Sequence, residues 1–376
     1  MAFDLLLKGG TLIDPSQGIY GVKDIAFMDG KVAAVSDDLG QPETKQIIDC
    51  SNRFVSPGWV DLHVHAFWGC SHYGIEPDPY FITNGVTTAL DVGSAGADTF
   101  AGFRRYVIEA SDTRLFAYLH ISSMGMLSGE IGELKYMAYA NVRKAVETVE
   151  QHRDIILGIK VRLTRDLVDQ TAGIQPLHLA RKAADAVGLP VMVHPNDAWS
   201  DSLDDILSVM RTGDILTHCF QGYGCGILDS DGKVRNAVLE ARERGILFDV
   251  GHGRGSFKWE VVDQAIEQDL LPQTISSDLH VYSLNGPVFD LATTMSKFLH
   301  LGLSLDQVIE RVTQNPAEAM GMSGQIGTLR VGVCGDAVVF NMEEGEFDFY
   351  DAHDQCRVGQ QRIVPTTVVR DGSVYG

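Results

Sequence analysis

A chain of 376 residues with 45% apolar and 21% charged side chains has the make-up of a globular enzyme with a large buried core. Fifty Asp and Glu against thirty Lys and Arg leave a net charge of −20, the wrong sign for a phosphate backbone or an anionic bilayer, so neither nucleic acid nor membrane is expected as a partner. The six cysteines include no Cys-x-x-Cys pair, the N-terminus carries Asp4 where a signal peptide wants a base, and no apolar run reaches membrane-spanning length; together these point to reduced thiols and a cytoplasmic location.

From Phe3 to Val55 the chain alternates short β-type runs (Leu5–Leu7, Ile25–Met28, Val32–Val35, Ile47–Asp49) with turn residues such as Lys8-Gly9-Gly10 and Met28-Asp29-Gly30. This predicts a small antiparallel β unit. The tail repeats the pattern at Gly327–Leu329, Asp336–Phe340, Phe347–Tyr350 and Thr366–Val369, so residues 1–55 and 325–376 are expected to build one small β-sandwich from both termini. Residues 56–324 instead alternate apolar runs with amphipathic stretches. Candidate strands are Trp59–His63, Thr87–Val92, Leu115–His120, Ile155–Leu163, Pro190–His194, Asp214–His218, Ile246–Val250 and Thr274–Ser277; candidate helices include Asn141–Gln151, Leu177–Val187, Val234–Arg244 and Trp259–Glu267. Eight strands at such intervals predict an α/β fold, a (β/α)8 TIM barrel. A doubly wound sheet is the alternative, but no Gly-x-Gly-x-x-Gly follows the first strand.

The chemistry clusters where these strands end, which is the active-site rim of such a barrel. His63 and His65 lie two apart, so on a strand both imidazoles leave from one face and converge on one point, most naturally a metal ion. The fifth strand closes on His194, the sixth on His218, and the eighth leads into Asp278. Any one of these could be an ordinary strand residue bonded to backbone; together they form a pattern. Lys160 interrupts the apolar run Ile155–Val161. An unpaired buried ammonium is costly, so the amine is expected either to pair with an acid, to snorkel to the rim, or to sit neutral. A neutral amine can take up carbon dioxide as a carbamate, an oxygen ligand able to bridge two cations.

His63-x-His65, Lys160, His194, His218 and Asp278, in this order, resemble the amidohydrolase superfamily, specifically its binuclear-metal branch with a carboxylated lysine. Phe54–Asp61 and the run from Gly327 to Val339 resemble that family's passages into and out of its barrel. The resemblance implies His63, His65 and Asp278 on a buried metal, His194 and His218 on an outer one, and carboxylated Lys160 bridging two Zn2+. It further implies a metal-activated hydroxide, with Asp278 as the catalytic proton carrier. Phe67 stands where dihydroorotases of the superfamily carry an arginine, and the glutamate of the usual adenine deaminases is absent, so the nearest likeness is to dihydroorotase-like deacetylases acting on small anionic substrates. Dihydroorotase-like cyclic amide hydrolysis, adenine deamination and, further off, a non-enzymatic scaffold stand as alternatives. Homo-oligomers are common among such relatives and are expected by that analogy alone. For the substrate, the glycine-rich stretch after the seventh strand offers His252 and Arg254, the latter able to fork onto a carboxylate, and His120 and His280 end or follow strands nearby. Phe67, Trp68, Trp199 and Tyr223 are expected in rim loops that could line an apolar pocket.

Overall fold

The computed structural model describes residues 2–200 and 202–375. The N-terminal part forms β1 (Phe3–Asp14), β2 (Ile19–Met28), β3 (Lys31–Ser36), β4 (Thr44–Asp49) and β5 (Phe54–Pro57). Lys8-Gly9-Gly10, expected as a turn, is a bulge inside β1: the register with β2 slips between Leu7 and Gly10, and Gly9 adopts φ 72°. A Cβ on Gly10 would stand 2.6 Å from Val55 and 2.9 Å from Cys50, so only glycine lets the neighbouring chain lie this close. The unit is also not purely antiparallel, because β4 and β5 both run parallel to β1.

Seven parallel strands follow in sequential order: β6 (Trp59–Val64), β7 (Val86–Gly96), β8 (Arg114–His120), β9 (Ile156–Arg162), β10 (Val191–His194), β11 (Ile215–Leu216) and β12 (Leu247–Phe248). The sixth and seventh strands are shorter than the sequence predicts, and the eighth is not a regular strand. The cause is local backbone: His218 (φ 60°), Gly251 (φ 46°), Gly253 (φ 49°) and Asp278 (φ 48°) leave the extended region, and a ladder cannot continue through them. Residues 274–279 nevertheless touch both edges of the curled sheet. Val250 and Gly253 donate to the carbonyls of Thr274 (3.2 Å) and Ser277 (3.0 Å), while the Asp278 amide donates to the His63 carbonyl (2.8 Å) and the His65 amide to that of Leu279 (3.1 Å).

Between the strands lie α1 (Phe100–Tyr106), α2 (Val142–Gln151), α3 (Gln175–Val187), α4 (Leu203–Val209), α5 (Asn236–Glu243) and α6 (Trp259–Ile266), then α7 (Leu291–His300), α8 (Leu305–Glu310) and α9 (Gln314–Ala319). Their ends are written in the sequence: Asn141 caps α2 by accepting from the Lys144 amide at 3.0 Å, and Gly188 ends α3 with φ 70°. Leu177, Ala180, Ala183, Ala184 and Val187 bury one face of α3 at helical spacing. No helix among the described residues is long and apolar enough to cross a membrane.

The tail forms β13 (Ala337–Tyr350), β14 (Cys356–Arg370) and β15 (Ser373–Tyr375), which join the N-terminal strands in the order β15-β14-β13-β5-β1-β2-β3, with β4 on β1. Both termini therefore share one hydrogen-bonded sheet, over a core that includes Leu5, Phe27, Val55, Leu329, Val339 and Val369. Arg114, the first residue of β8, ties this sheet to the parallel one: it donates to Thr88 Oγ1 (3.1 Å), to the buried Asp336 carboxylate and to Asp371 (2.7 Å). Arg114→Met would keep the stem and strand the Asp336 charge. The expected loss is about 3 kcal/mol, the lower end for breaking a buried pair, read as a lower urea midpoint at an unchanged slope.

Candidate active site

The parallel strands deliver their polar ends to one place. His63 and His65 leave β6 on the same face, His194 ends β10, and His218 and Asp278 follow the strand ends in left-handed backbone conformations. The His194 and His218 rings meet edge-on at 4.2 Å between centres, His63 and His218 lie 4.9 Å apart, and ligand atoms of His63, His218 and Asp278 fall within 4.8 Å of one another. Asp278 Oδ1 is 3.4 Å from His63 Nε2 and 3.3 Å from His65 Nε2. Left-handed backbone at non-glycine residues is strained, and two of the converging side chains, His218 and Asp278, stand on it.

The outer nitrogens of the imidazoles decide what faces inward. Thr217 gives its single hydroxyl proton to Asp249 (2.7 Å), so at 2.8 Å it can only accept from His63 Nδ1, leaving the His63 Nε2 lone pair toward Asp278. His218 Nδ1 lies 2.7 Å from the Gly251 carbonyl, which can only accept, so its Nε2 also carries a lone pair. His65 Nδ1 rests on Ser94 Oγ at 2.9 Å. Burial, assisted by Lys160 and the neighbouring imidazoles, pushes His63, His65 and His194 well below the ordinary histidine range; burial likewise takes His218 to about 3. Neutral imidazole is the ligating form.

Lone pairs directed at a carboxylate oxygen repel unless a cation stands between them. Asp278 Oδ1 is buried and has no hydrogen-bond partner among the described residues, so a cation bound there would find an unsatisfied acceptor. The donor set of imidazoles and carboxylate suits a zinc-like ion. Lys160 completes the floor: it is wholly buried, its only hydrogen-bond contact is Met192 Sδ at 3.4 Å, and burial lowers its amine to about 7. Gly93 (φ 94°) makes room for it, since a Cβ there would stand 2.8 Å from Lys160 Cγ.

A cavity of about 420 Å3 opens above this floor. Of the residues expected to meet the substrate, His280 and Arg254 line it, whereas His120 and His252 do not. His120 accepts from the Ser122 amide (2.9 Å), with its Nε2 3.7 Å from Glu133, and His252 stacks on Phe257 (4.4 Å between ring centres) and meets Lys297 Nζ at 2.7 Å. Of the four aromatics expected in rim loops only Tyr223 reaches the cavity. Phe67 packs on Phe103, Trp199 under Arg165, and Trp68 is exposed elsewhere, each already occupied or turned away.

The amidohydrolase family model matches residues 54–374. This chain belongs to the amidohydrolase family. It is 37% identical to a deacetylase of Agrobacterium fabrum over 326 residues, covering 86% of this chain and 79% of that protein. It is 34% identical to a deacetylase of Enterococcus faecalis across 100% of both chains. Among solved structures, one described as an adenine deaminase superposes with a TM-score of 0.92 at 32% identity, covering 99% of each chain. One described as a dihydroorotase gives 0.89 at 35%, covering 98% of this chain and 97% of that one.

Several residues of this amidohydrolase cavity escape the sequence reading, Arg162 and Tyr73 among them. Arg162 sits two positions after Lys160 and so shares its face of β9, the same period-two signal that singles out His63 and His65. Tyr73, from the loop after β6, carries no comparable signal and is brought in by folding, its ring 5.2 Å from His65 and 4.8 Å from His280.

Lys160 gives a pH test in chelator-stripped protein held free of carbon dioxide. Its folded amine titrates near 7, about three units below the unfolded side chain. Between those values the unfolded chain holds the extra proton, so Lys160 should add a rise in stability with pH from about 7 upward of at most about 1.4 kcal/mol per unit, beside the rise that Lys297, also lowered to about 7, contributes in both proteins. Lys160→Met should flatten the rise in urea midpoint between pH 7 and 9; identical slopes in both proteins would contradict the buried neutral amine.

Proposed function

We propose that this amidohydrolase is a zinc-dependent deacylase that removes an acyl group such as acetyl from the nitrogen or oxygen of a small carboxylate-bearing substrate. The observation that carries the reading is the set of imidazole lone pairs turned on the unpartnered Asp278 Oδ1 at the floor of an open cavity. The deacetylase name of relatives matched over most or all of the chain favours acyl transfer to water over the other chemistries of the family. The fold reads as the (β/α)8 barrel, with 274–279 as its eighth stave, between the two halves of a terminal β-sandwich.

His63, His65 and Asp278 would hold one ion, His194 and His218 a second, with carboxylated Lys160 between them. The neutral Lys160 amine would take up carbon dioxide, its nitrogen–carbon bond forming as one carbon–oxygen π bond opens and the amine releases a proton to solvent, and the carbamate oxygens would supply an anionic ligand that the imidazoles do not. Bound there, the ions supply Lewis acidity that polarises a carbonyl and acidifies water. Asp278 does the proton work. Its Oδ1 faces the cavity floor, its backbone amide donates to the His63 carbonyl, and the absence of a Cβ on Gly253 gives Oδ2 the room it occupies. Having taken a proton from attacking water, it returns it to the departing nitrogen or oxygen.

A panel of N-acetyl amino acids, O-acetyl hydroxy acids, cyclic ureides and adenine tests the proposal. Acetate release from the acylated acids is expected, and ammonia from adenine or ring opening alone would overturn it. On the active substrate, Asp278→Asn should keep most metal yet lower kcat by about 10²–10⁴-fold; a variant with the kcat of the wild type would place the proton carrier elsewhere. Lys160→Ala should lose most metal and activity, with partial recovery when a short carboxylic acid fills the gap left by the carbamate. A fully metallated, active Lys160→Ala protein would remove Lys160 from the centre.

A further inference from the structure

The charged group best placed to read a substrate carboxylate is buried rather than on the rim. Arg254, the rim guanidinium, has a side chain 45% exposed and is already engaged by the Ala352 carbonyl and Asp354, each at 3.3 Å. Arg162 lines the same cavity from its inner wall. It stands beside His194 in the β9–β10 register, and only 8% of its side chain is accessible.

A guanidinium at such depth ordinarily commits its five donors to the protein. Arg162 does not. Among the described residues, Nη1 donates to Glu133 Oε1 at 2.9 Å, Nη2 makes only a long 3.3 Å bond to the Tyr73 hydroxyl, and Nε has no partner. Glu133 is under-bonded in turn, with Oε2 unpartnered. A purely structural pair would close these bonds, because each unsatisfied buried donor or acceptor costs free energy. Glu133 offsets the charge that would otherwise be expensive to bury, and the unused donors remain available. Tyr73 packs its ring against His65 and His280 and sits 5.1 Å from the Arg162 guanidinium carbon, which sets this pair beside the His65 and Asp278 side of the floor.

We propose that Arg162, with the Tyr73 hydroxyl, is the subsite for the substrate carboxylate, so that the enzyme takes molecules whose free carboxylate lies close to the acylated nitrogen or oxygen. This rests on the deacylase reading of the same cavity. A planar fork matches two carboxylate oxygens, and a carboxylate held there supplies the acceptors that Arg162 lacks. The scissile acyl group is then left toward Asp278.

The test compares N-acetylglycine with N-acetylglycinamide, which differ only in the charge to be read. Arg162→Gln alone would strand Glu133, so Arg162→Gln with Glu133→Gln replaces the ion pair by two uncharged amides. This double variant should lose kcat/KM for the acid by about 10–100-fold, change little with the amide, and keep its metal content. Arg254→Met should leave the acid-to-amide ratio as in the wild type. Equal losses on both compounds in a metal-replete double variant, or an acid-selective loss in Arg254→Met, would overturn the assignment. Tyr73→Phe removes one hydroxyl without disturbing the ion pair and carries the test if the double variant fails to fold: a several-fold acid-selective loss supports the subsite, and none overturns it. Should the wild type hydrolyse neither compound, the deacylase reading fails separately, and calorimetric binding reads the subsite instead. A preference for the acid that is lost in the variants supports it, and no preference overturns it.

Discussion

Buried aspartates behind the histidines hold the cavity floor together. Asp249 accepts from Thr217 (2.7 Å), Thr274 (2.6 Å) and Ser276 (2.7 Å), joining three consecutive strand positions through one carboxylate. Asp61 does the same for Ser277, taking its amide at 3.0 Å and its hydroxyl, while Asp91 takes the amides of Ser94 (2.9 Å) and Ala66 (2.7 Å). Burial pushes all three carboxyls upward, Asp61 to about 7 and Asp91 to about 6, and the donors around them oppose that shift. Through Thr217 and Ser94 these networks reach the outer nitrogens of His63 and His65, so ring orientation is fixed before any ion arrives.

These carboxylates also account for the loss of regularity in the sheet where the chemistry lies. A ladder satisfies backbone groups by repetition and points side chains alternately to two faces. A converging floor needs successive strands to stop, turn and aim inward. Left-handed backbone at His218, Gly251, Gly253 and Asp278 does this; Asp61 takes the Ser277 amide, and the Ser276 hydroxyl, itself held by Asp249, takes the Gly251 amide. The short β11 and β12 and the irregular 274–279 segment are thus the structural cost of the site rather than weak spots in the sheet.

The terminal sheet reaches the same region from outside. Lys297 of α7 donates to the Tyr350 carbonyl of β13 (2.7 Å) and the Pro287 carbonyl (2.9 Å) and meets His252 Nε2 at 2.7 Å. His252 is adjacent to Gly253, where any Cβ would collide with the Asp278 carboxylate. The histidine that looks like a substrate contact in the sequence is therefore a strut, connecting the glycine-rich rim to α7 and, through it, to the tail of the chain. Its environment is apolar, and burial lowers both His252 and Lys297, the latter to about 7.

Sequence by itself determined the elements with strong periodicity and the residues whose chemistry conflicts with their surroundings. A histidine two places from another on an apolar strand, a lysine inside Ile155–Val161, and polar residues closing strand after strand are legible because alternation fixes which side chains share a face and burial forbids an idle charge. Arg162 lay within reach of the same rule. Tertiary structure alone decided the rest, because it depends on which partners arrive from far along the chain. Gly9-Gly10 reads as a turn until Val55 and Cys50 press against it. His120 and His252 read as ligand contacts until Ser122, Phe257 and Lys297 claim them. Arg254 and Arg162 are both arginines near a strand end, and only folding gives one to Asp354 at the rim and places the other, with donors to spare, in the cavity wall.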